Sequence, residues 1–564
     1  MQPPLTSIGR TYRHLNRYRE LIGILVKYGF QDIVEQLNLR YYVELGKSVL
    51  LQRPAEHAAQ IPRAVRVRLI IEEMGTTFIK FGQIMSTRPD LIPEEFLVEL
   101  RKLQDAVPPF PTPEAIRLIE SELEAPLGEL FATFDQTPIA SASIARVYRA
   151  TLPDGAEVAV KVQRSDIQKV IAVDLEIMMD LARLAEQHLR GFEALQPAAV
   201  VEEFARVIEN ELNFHVEARS IERFSLHFAG DPTVHIPAVF RAHSTKRVLT
   251  TAFVHGIKIS EQQRLRDAGY DLALLATNGA NAMMRQVFEH GFFHGDPHPG
   301  NLLALPGGVV CFLDFGMMGR LDKEHQEDLA TMLACIVNRD DERLTQTILH
   351  VAVNPDEVQD PRGLKRSVTD FVERYAYLPL EQINAAEVLN DLLAMILTYR
   401  VKLPPEFYLL IKALVTIEGV GKQLNPQFDI VAHAQPYITA LLRKRYDPSR
   451  IAQDLGRTSA ELYRLLRDLP AEVRALLKFV RRGELHVNLE TKSMEPVMKT
   501  WDRDANRLAF SIVLAALLMS SAVVILARVP PLWHTIPVLG LAGFAGALLM
   551  GIWLLIAIFT SGQL

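Results

Sequence analysis

Cysteine is nearly absent: Cys311 and Cys335 are the only two in 564 residues, which excludes a disulfide framework and a cysteine-rich metal cluster. Both stand in apolar runs and read as core thiols of a reducing compartment. Basic blocks are missing too. The 61 Lys and Arg against 67 Asp and Glu leave a net charge of −6 with no long cationic run, which excludes nucleic acid as the main partner. No apolar h-region follows Met1-Gln2-Pro3-Pro4, so no secretory signal is expected. Charge itself disappears twice, over the 20 residues Leu508 to Ala527 and the 24 residues Ile536 to Phe559. Each run is long enough to cross a bilayer, and two of them separated only by Arg528 to Thr535 predict a transmembrane helix hairpin. Lys492, Lys499, Arg503 and Arg507 precede the first run, whereas the connecting loop has only Arg528, so residues 1 to 507 are expected on the cytoplasmic side. Gly543, Ala547 and Gly551 recur every four residues of the second run, a small-residue face for close helix contact.

What is present centres on His294-Gly295-Asp296-Pro297-His298-Pro299-Gly300-Asn301, followed by Leu313-Asp314-Phe315-Gly316. An Asp five residues before an Asn, with D-F-G thirteen residues beyond that Asn, is the spacing of a kinase catalytic loop and its metal-binding Asp. Phosphoryl transfer needs one carboxylate to orient the attacking group, and an amide and a second carboxylate to hold Mg²⁺ on the phosphates. These roles fall to Asp296, Asn301 and Asp314. Apolar runs on either side of Pro306-Gly307-Gly308 predict a hairpin that brings Asn301 and Asp314 to neighbouring ends. Upstream, two alternating strands flank the turn Pro153-Asp154-Gly155, and Val158-Ala159-Val160-Lys161 places Lys161 where a kinase holds the α- and β-phosphates. The loop before this hairpin, Ala140-Ser141-Ala142-Ser143-Ile144, should cover the phosphates, yet it lacks the G-x-G-x-x-G that lets backbone amides approach closely. The carboxylate partner of Lys161 comes late, in a helical run with several glutamates, of which Glu217 is the choice. Val248 to Gly256 reads as a buried strand ending at the hinge between lobes. No A-P-E follows Gly316, so the surface on which protein kinases dock peptides is not evident. The chain instead enters helices at Glu324 to Asn338, Leu364 to Ala376, Ala386 to Tyr399 and Glu406 to Leu424.

Two N-terminal stretches stay open. Residues 6 to 60 carry helical periodicity with Arg10, Arg13, Arg17 and Arg19 before Leu21 to Val26, which suits either an anionic membrane surface or packing on the body of the protein. Lys80-Phe81-Gly82-Gln83 places Lys80 and Gln83 on one helix face, which general chemistry reads as a solvated polar stripe.

Taken together, K-x-G-Q at Lys80 to Gln83, Leu103-Gln104-Asp105, the alanine-rich loop, V-A-V-K, Glu211 to Ala218, H-G-D-P-H-P-G-N and D-F-G resemble the UbiB family, atypical kinase-like proteins tied to biosynthesis of ubiquinone and other isoprenoid quinones. The match runs from about Ile70 to Phe428. The resemblance implies that the K-x-G-Q helix folds over the acceptor side, with Lys80 and Gln83 facing the nucleotide pocket, Glu211 pairing nearby and Glu217 serving as the partner of Lys161. Three positions depart from it: Asn213 replaces the Asp of E-x-D, Ser141 replaces an alanine, and Ala252 stands where relatives often carry an acid.

The expected fold is α+β, a protein-kinase-like two-lobed body with a helical extension at residues 1–125, an N-lobe at 126–256 with inserted helices, a C-lobe at 257–440, a helical juxtamembrane region at 441–507 and two transmembrane helices at 508–560. The expected function is a membrane-anchored ATPase or phosphotransferase of the bacterial inner membrane that binds ATP and Mg²⁺ and supports ubiquinone biosynthesis. Its expected partners are a lipid or isoprenoid-quinone precursor and other proteins of that pathway. Rival readings are a protein kinase acting in trans, which needs a peptide groove, a nucleotide-gated scaffold without catalysis, and an antibiotic-type small-molecule kinase, which gives K-x-G-Q and a membrane hairpin no purpose.

Overall fold

A computed structural model describes residues 5–37, 61–103, 110–141, 144–189, 196–355, 358, 360–376, 384–445, 494–528, 530–533 and 536–560. Gln104, Asp105, Ala142, Ser143 and Lys492, each singled out above, lie outside them. The chain forms two units, residues 1–454 and 455–564.

In the first unit, strands Ala145–Thr151 and Glu157–Gln163 form the antiparallel hairpin that the Pro-Asp-Gly turn predicts, with Val147 opposite Lys161. Thr133–Phe134 and Ala140–Ser141 pair with the first strand and Val248–Ala252 pairs with the second, giving five antiparallel strands. Strand alternation decides which residues face where. Tyr148, Ala150, Val158, Val160 and Val162 are buried together with Phe110, Ala115, Leu118 and Ile119, at and within helix Thr112–Leu123. Lys161, one residue out of step with Val160 and Val162, projects from the opposite face. Ala140 and Ser141 therefore belong to a strand rather than to the open loop expected of them.

Three helices, Ile167–His188, Pro197–Glu211 and Phe214–His227, fill the gap between Lys161 and the Val248–Ala252 strand. Asn213 has a structural use: its side-chain oxygen accepts from the His215 N–H and caps the helix that carries Glu217. Asn caps a helix as well as Asp does, so the departure from E-x-D costs nothing there.

The N-terminal helix Leu5–Lys27 packs on the body of this unit. Tyr18, Leu21 and Ile24 join the main core, Ile22 and Val26 pack with Val34, Leu37 and Ala185, and Arg17 bonds the buried Asp174 at 2.8 Å. Of the two readings open for this segment, its apolar face is therefore used within the protein. Helix Thr76–Met85 is likewise no solvated stripe: Thr77, Phe78, Ile79, Gly82 and Met85 are buried, and on the polar face Lys80 is only 16% exposed against Glu211 while Gln83 bonds the Leu103 carbonyl.

The second half of this unit begins with helix Leu272–Met284, continues as a more widely wound π-turn over Arg285–His290, and passes into Phe292–His294, which pairs with Met318–Arg320. Leu302–Leu305 and Val309–Phe312 form the second predicted hairpin. Cys311 within it is fully buried, and burial pushes its thiol up to about 12, so it is an inert core group; Cys335 is buried as well. Among the described residues six helices follow from Lys323–Asn338 to Ile430–Arg445, the fifth of them Pro405–Leu424.

The second unit holds helices Met494–Leu526 and Val538–Thr560, packed on each other and joined through the paired Leu532–Trp533 and Ile536–Pro537. The second helix thus starts at Val538, after the proline, rather than at Ile536. Among the described residues one helix, Ala509–Leu526, is long and apolar enough to cross a membrane. The small residues mark the contact between the two: Ala547 is buried, and a Cβ at Gly543 would lie 2.1 Å from Ser521 Oγ.

Candidate functional site

The cleft is built from both halves of the first unit. Lys161 Nζ donates to Glu217 at 2.7 and 2.9 Å and to Asp314 Oδ1 at 3.4 Å. Burial works against the charge on Lys161, but the Asp314 and Glu217 carboxylates outweigh it and hold its pKa above that of free lysine. Asp314 answers in kind: the Lys161 ammonium, against the pull of burial and helped by the Gly316 N–H, holds its carboxyl well below the usual range. Burial pushes Glu217 the other way, upward, with Lys161 opposing. The arrangement is a permanent cation between two carboxylates, one deep and one, Asp314, still about half exposed at 47%.

Residues of the His294–Asn301 loop meet this group through hydrogen bonds to backbone carbonyls. Leu313 N–H donates to the Asn301 carbonyl at 3.0 Å, Gly295 N–H to the Met317 carbonyl at 2.8 Å, and Asn301 Nδ2 to the Asp296 carbonyl at 3.4 Å. Asp296, Asn301 and Asp314 thus lie on one continuous rim, as the hairpin predicts.

His294 joins the two motifs. Its Nδ1 accepts from the Asp296 N–H at 3.1 Å while Nε2 faces the Asp314 carbonyl, a pattern that requires the neutral Nε2–H tautomer. Burial lowers its pKa, so below the ordinary histidine value near 6.5 the unfolded chain takes up a proton that the folded chain refuses. Stability contributed by this residue is intact above that value and is lost as pH falls, by about 1.4 kcal/mol for each pKa unit of depression. Between pH 7.5 and 5.5 the melting temperature of the wild type is therefore expected to fall more steeply than that of His294→Gln. Parallel curves would remove His294 from this role.

Helix Thr76–Met85 closes one side. Lys80 Nζ lies 2.6 Å from Glu211, Gln83 Nε2 donates to the Leu103 carbonyl at 3.3 Å, and Lys80 also helps keep Asp314 ionised. At Gly82 a Cβ would run into Leu103 Cδ1, so a larger residue at that crossing would have to displace the Leu103 side chain. Just beyond the helix, Arg88 bonds both oxygens of Glu203 at 3.0 Å and pairs with Asp90 at 2.8 Å. Its guanidinium also lies over the ring of Tyr408 on helix Pro405–Leu424. The contacts among Arg88, Glu203 and Tyr408 are not legible from sequence, because the three are far apart in the chain and no motif joins them.

Chemically, the set fits a nucleotide triphosphate with one divalent cation. Lys161 supplies a fixed positive charge for phosphates, while Asp314 and Asn301 supply one carboxylate and one amide. Mg²⁺ is ordinarily held by one or two carboxylates together with waters and substrate phosphates. Among the described residues no three His, Cys, Asp or Glu side chains gather as a metal-binding group. Of the nucleotide-covering residues expected from sequence, Ala140 and Ser141 are exposed and Ile144 is buried in the core.

The chain is similar to known proteins along most of its length. Residues 102–348 match the ABC1 atypical kinase-like domain, residues 368–429 the UbiB helical domain, and residues 492–560 the ABC1/UbiB kinase-like C-terminal domain. A protein of Xanthomonas campestris named "Probable protein kinase UbiB" is 34% identical over 546 residues, covering 94% of this chain and 98% of the relative. One of the same name from Marinobacter nauticus is 35% identical over 429 residues, covering 74% and 78%. A protein of Clostridium pasteurianum, named for its position in the 5′ region of hydrogenase 1, is 30% identical and covers 97% of this chain and 99% of the relative.

Proposed function

Since the chain belongs to the UbiB family of ABC1 atypical kinase-like proteins, we propose that it is a membrane-anchored, Mg²⁺- and ATP-dependent hydrolase or phosphotransferase that supports isoprenoid quinone biosynthesis. The observation that carries this reading is the Lys161 ammonium held between Glu217 and Asp314, because in kinases both the Lys–Glu pair and the D-F-G aspartate must be in place for transfer. Lys161 would bind the phosphates, and Asp314 with Asn301 would hold the cation. When bound, Mg²⁺ supplies positive charge against that developing on the transferred group. Asp296 would orient the attacking oxygen and take its proton.

We infer water or a small or lipid acceptor rather than a polypeptide: the family resemblance puts helix Thr76–Met85 over the acceptor side, and Lys80 on that helix acts on the Asp314 carboxylate. Membrane anchoring is supported by the apolar helix Ala509–Leu526 and by the close-packed small residues of its partner helix. We place both spans in the bacterial inner membrane with residues 1–507 cytoplasmic, from the excess of basic residues before the first span. A reporter active only outside the cytoplasm, fused after Leu564, is expected to stay silent; activity there would reverse the topology.

The function is tested by the quinone profile of a deletion strain. A wild-type copy is expected to restore ubiquinone and an Asp314→Asn copy, expressed to the same level, to leave precursors accumulating. Full restoration by the variant would favour a scaffold role over catalysis.

A further inference from the structure

Helix Pro405–Leu424 comes from the second half of the first unit, well beyond the kinase motifs, yet it lies directly against the catalytic loop. At Gly295 an added Cβ would meet Leu409 Cδ1 at 2.8 Å, so the helix packs tightly on this residue and any larger one would push the Leu409 side chain aside. One turn along, Lys412 Nζ lies 3.3 Å from Asp296 Oδ1, with both side chains about one-third exposed to the cleft. Tyr408, on the preceding turn, carries Arg88 from the end of the K-x-G-Q segment.

The loop itself offers no alternative cation. His294 to Asn301 contains neither Lys nor Arg, His294 is buried and neutral, and His298 Nδ1 is occupied in accepting the Gly300 N–H. Asn301 reaches only the backbone carbonyl of Asp296. Among the described residues, Lys412 is the one side chain that engages the Asp296 carboxylate.

We propose that Lys412 is a positioning residue for the reaction: it holds one oxygen of Asp296 so that the other is presented to the acceptor's hydrogen. The inference rests on the ATP-dependent reading above and adds to it a residue of the helical region. In the step concerned, the oxygen of water or of an acceptor hydroxyl bonds to the γ-phosphorus of ATP. The bond from that phosphorus to the β–γ bridging oxygen breaks, ADP leaves with the electron pair, and the acceptor proton passes to the free oxygen of Asp296. A carboxylate with no lateral partner would sample rotamers in which neither oxygen is aligned, and small misalignments of this kind cost large factors in rate. Removing so exposed an ion pair should scarcely affect stability, which separates the positioning role from a structural one.

The test uses the full chain in detergent, following phosphate release and the Mg-ATP-induced rise in melting temperature. The panel is wild type, Lys412→Met, Lys412→Gln, Lys412→Arg, Asp296→Asn and the double variant Asp296→Asn with Lys412→Met. We expect Lys412→Met and Lys412→Gln to lower kcat roughly ten- to a hundredfold with KM for ATP and melting temperature unchanged. Lys412→Arg should keep activity within a few fold, and Lys412→Met should add nothing to the loss caused by Asp296→Asn. Unchanged kcat in Lys412→Met overturns the inference alone. So does an equal further loss in the Asp296→Asn background, which would make Lys412 act elsewhere. A lowered melting temperature in both neutral variants, with normal kcat per folded molecule, marks a structural contact and also overturns it. Wild-type turnover no higher than that of Asp296→Asn overturns the hydrolase reading and this inference with it.

Discussion

Asp314→Asn is expected to abolish the rise in melting temperature that Mg-ATP gives the wild type. A ligand at 100 times its Kd stabilises a one-site protein by about 2.7 kcal/mol, an effect readily seen in a thermal-shift titration. The variant should show little of it, because the carboxylate that Lys161 and the Gly316 N–H hold ionised is the only charged group assigned to the metal. The unliganded protein should respond too, in a calculable direction. A carboxyl whose folded pKa is depressed stabilises the fold above the unfolded value near 3.9 and loses that contribution as pH falls through the folded value. Asp314→Asn should therefore melt below wild type at neutral pH, with the gap closing under acid conditions. An Mg-ATP shift as large in the variant as in the wild type would sink the assignment of Asp314 to the metal.

The parts of this site that were legible from sequence are those where chemistry and local geometry coincide. Asp296, Asn301 and Asp314 are separated by one hairpin, and Pro306-Gly307-Gly308 announces its turn, so their convergence follows from strand pairing alone. Lys161 was equally plain because alternation on a strand decides its face. Glu217 was not, since two helices intervene between it and Lys161 and several glutamates share its run; the resemblance, not the spacing, singled it out. The N-terminal helix was ambiguous because an amphipathic surface looks the same whether it meets lipid or protein, and the decisive contact, Arg17 with Asp174, joins distant segments. The roles of Lys412 and Arg88 were illegible for the same reason. Each works by reaching across the fold, one to Asp296 and the other to Glu203 and Tyr408, and no periodicity records such a reach.

The wild-type chain is expected to release phosphate from ATP slowly while transferring almost none to added protein substrates. Transfer to a side-chain hydroxyl requires that oxygen to come within about 3 Å of Asp296 and in line with the γ-phosphate. Helix Thr76–Met85, which the family resemblance puts on the acceptor side, is fastened from several directions: Lys80 to Glu211, Gln83 to the Leu103 carbonyl, and Phe81 edge-on to Phe204 at 5.2 Å. The segment following it is tied by Arg88 to both Glu203 and Tyr408, so lifting the helix would break contacts to two parts of the unit together. Water or a small headgroup needs no such opening. Gln83→Ala removes the tie to Leu103 without touching the Lys161 group, and Ala142→Gly restores backbone freedom in the loop ahead of the nucleotide. Either change is expected to alter nucleotide preference or to permit labelling of the chain's own Ser and Thr. The measurement is radiolabel incorporation from γ-labelled ATP beside phosphate release, for the full chain in detergent, both variants and an Asp296→Asn control. Phosphate release that survives both Asp296→Asn and Asp314→Asn would place the hydrolysis elsewhere. Strong labelling of added protein by the wild type would defeat the occlusion argument, because a polypeptide would then be reaching Asp296 past a helix anchored by Glu211, Leu103 and Phe204.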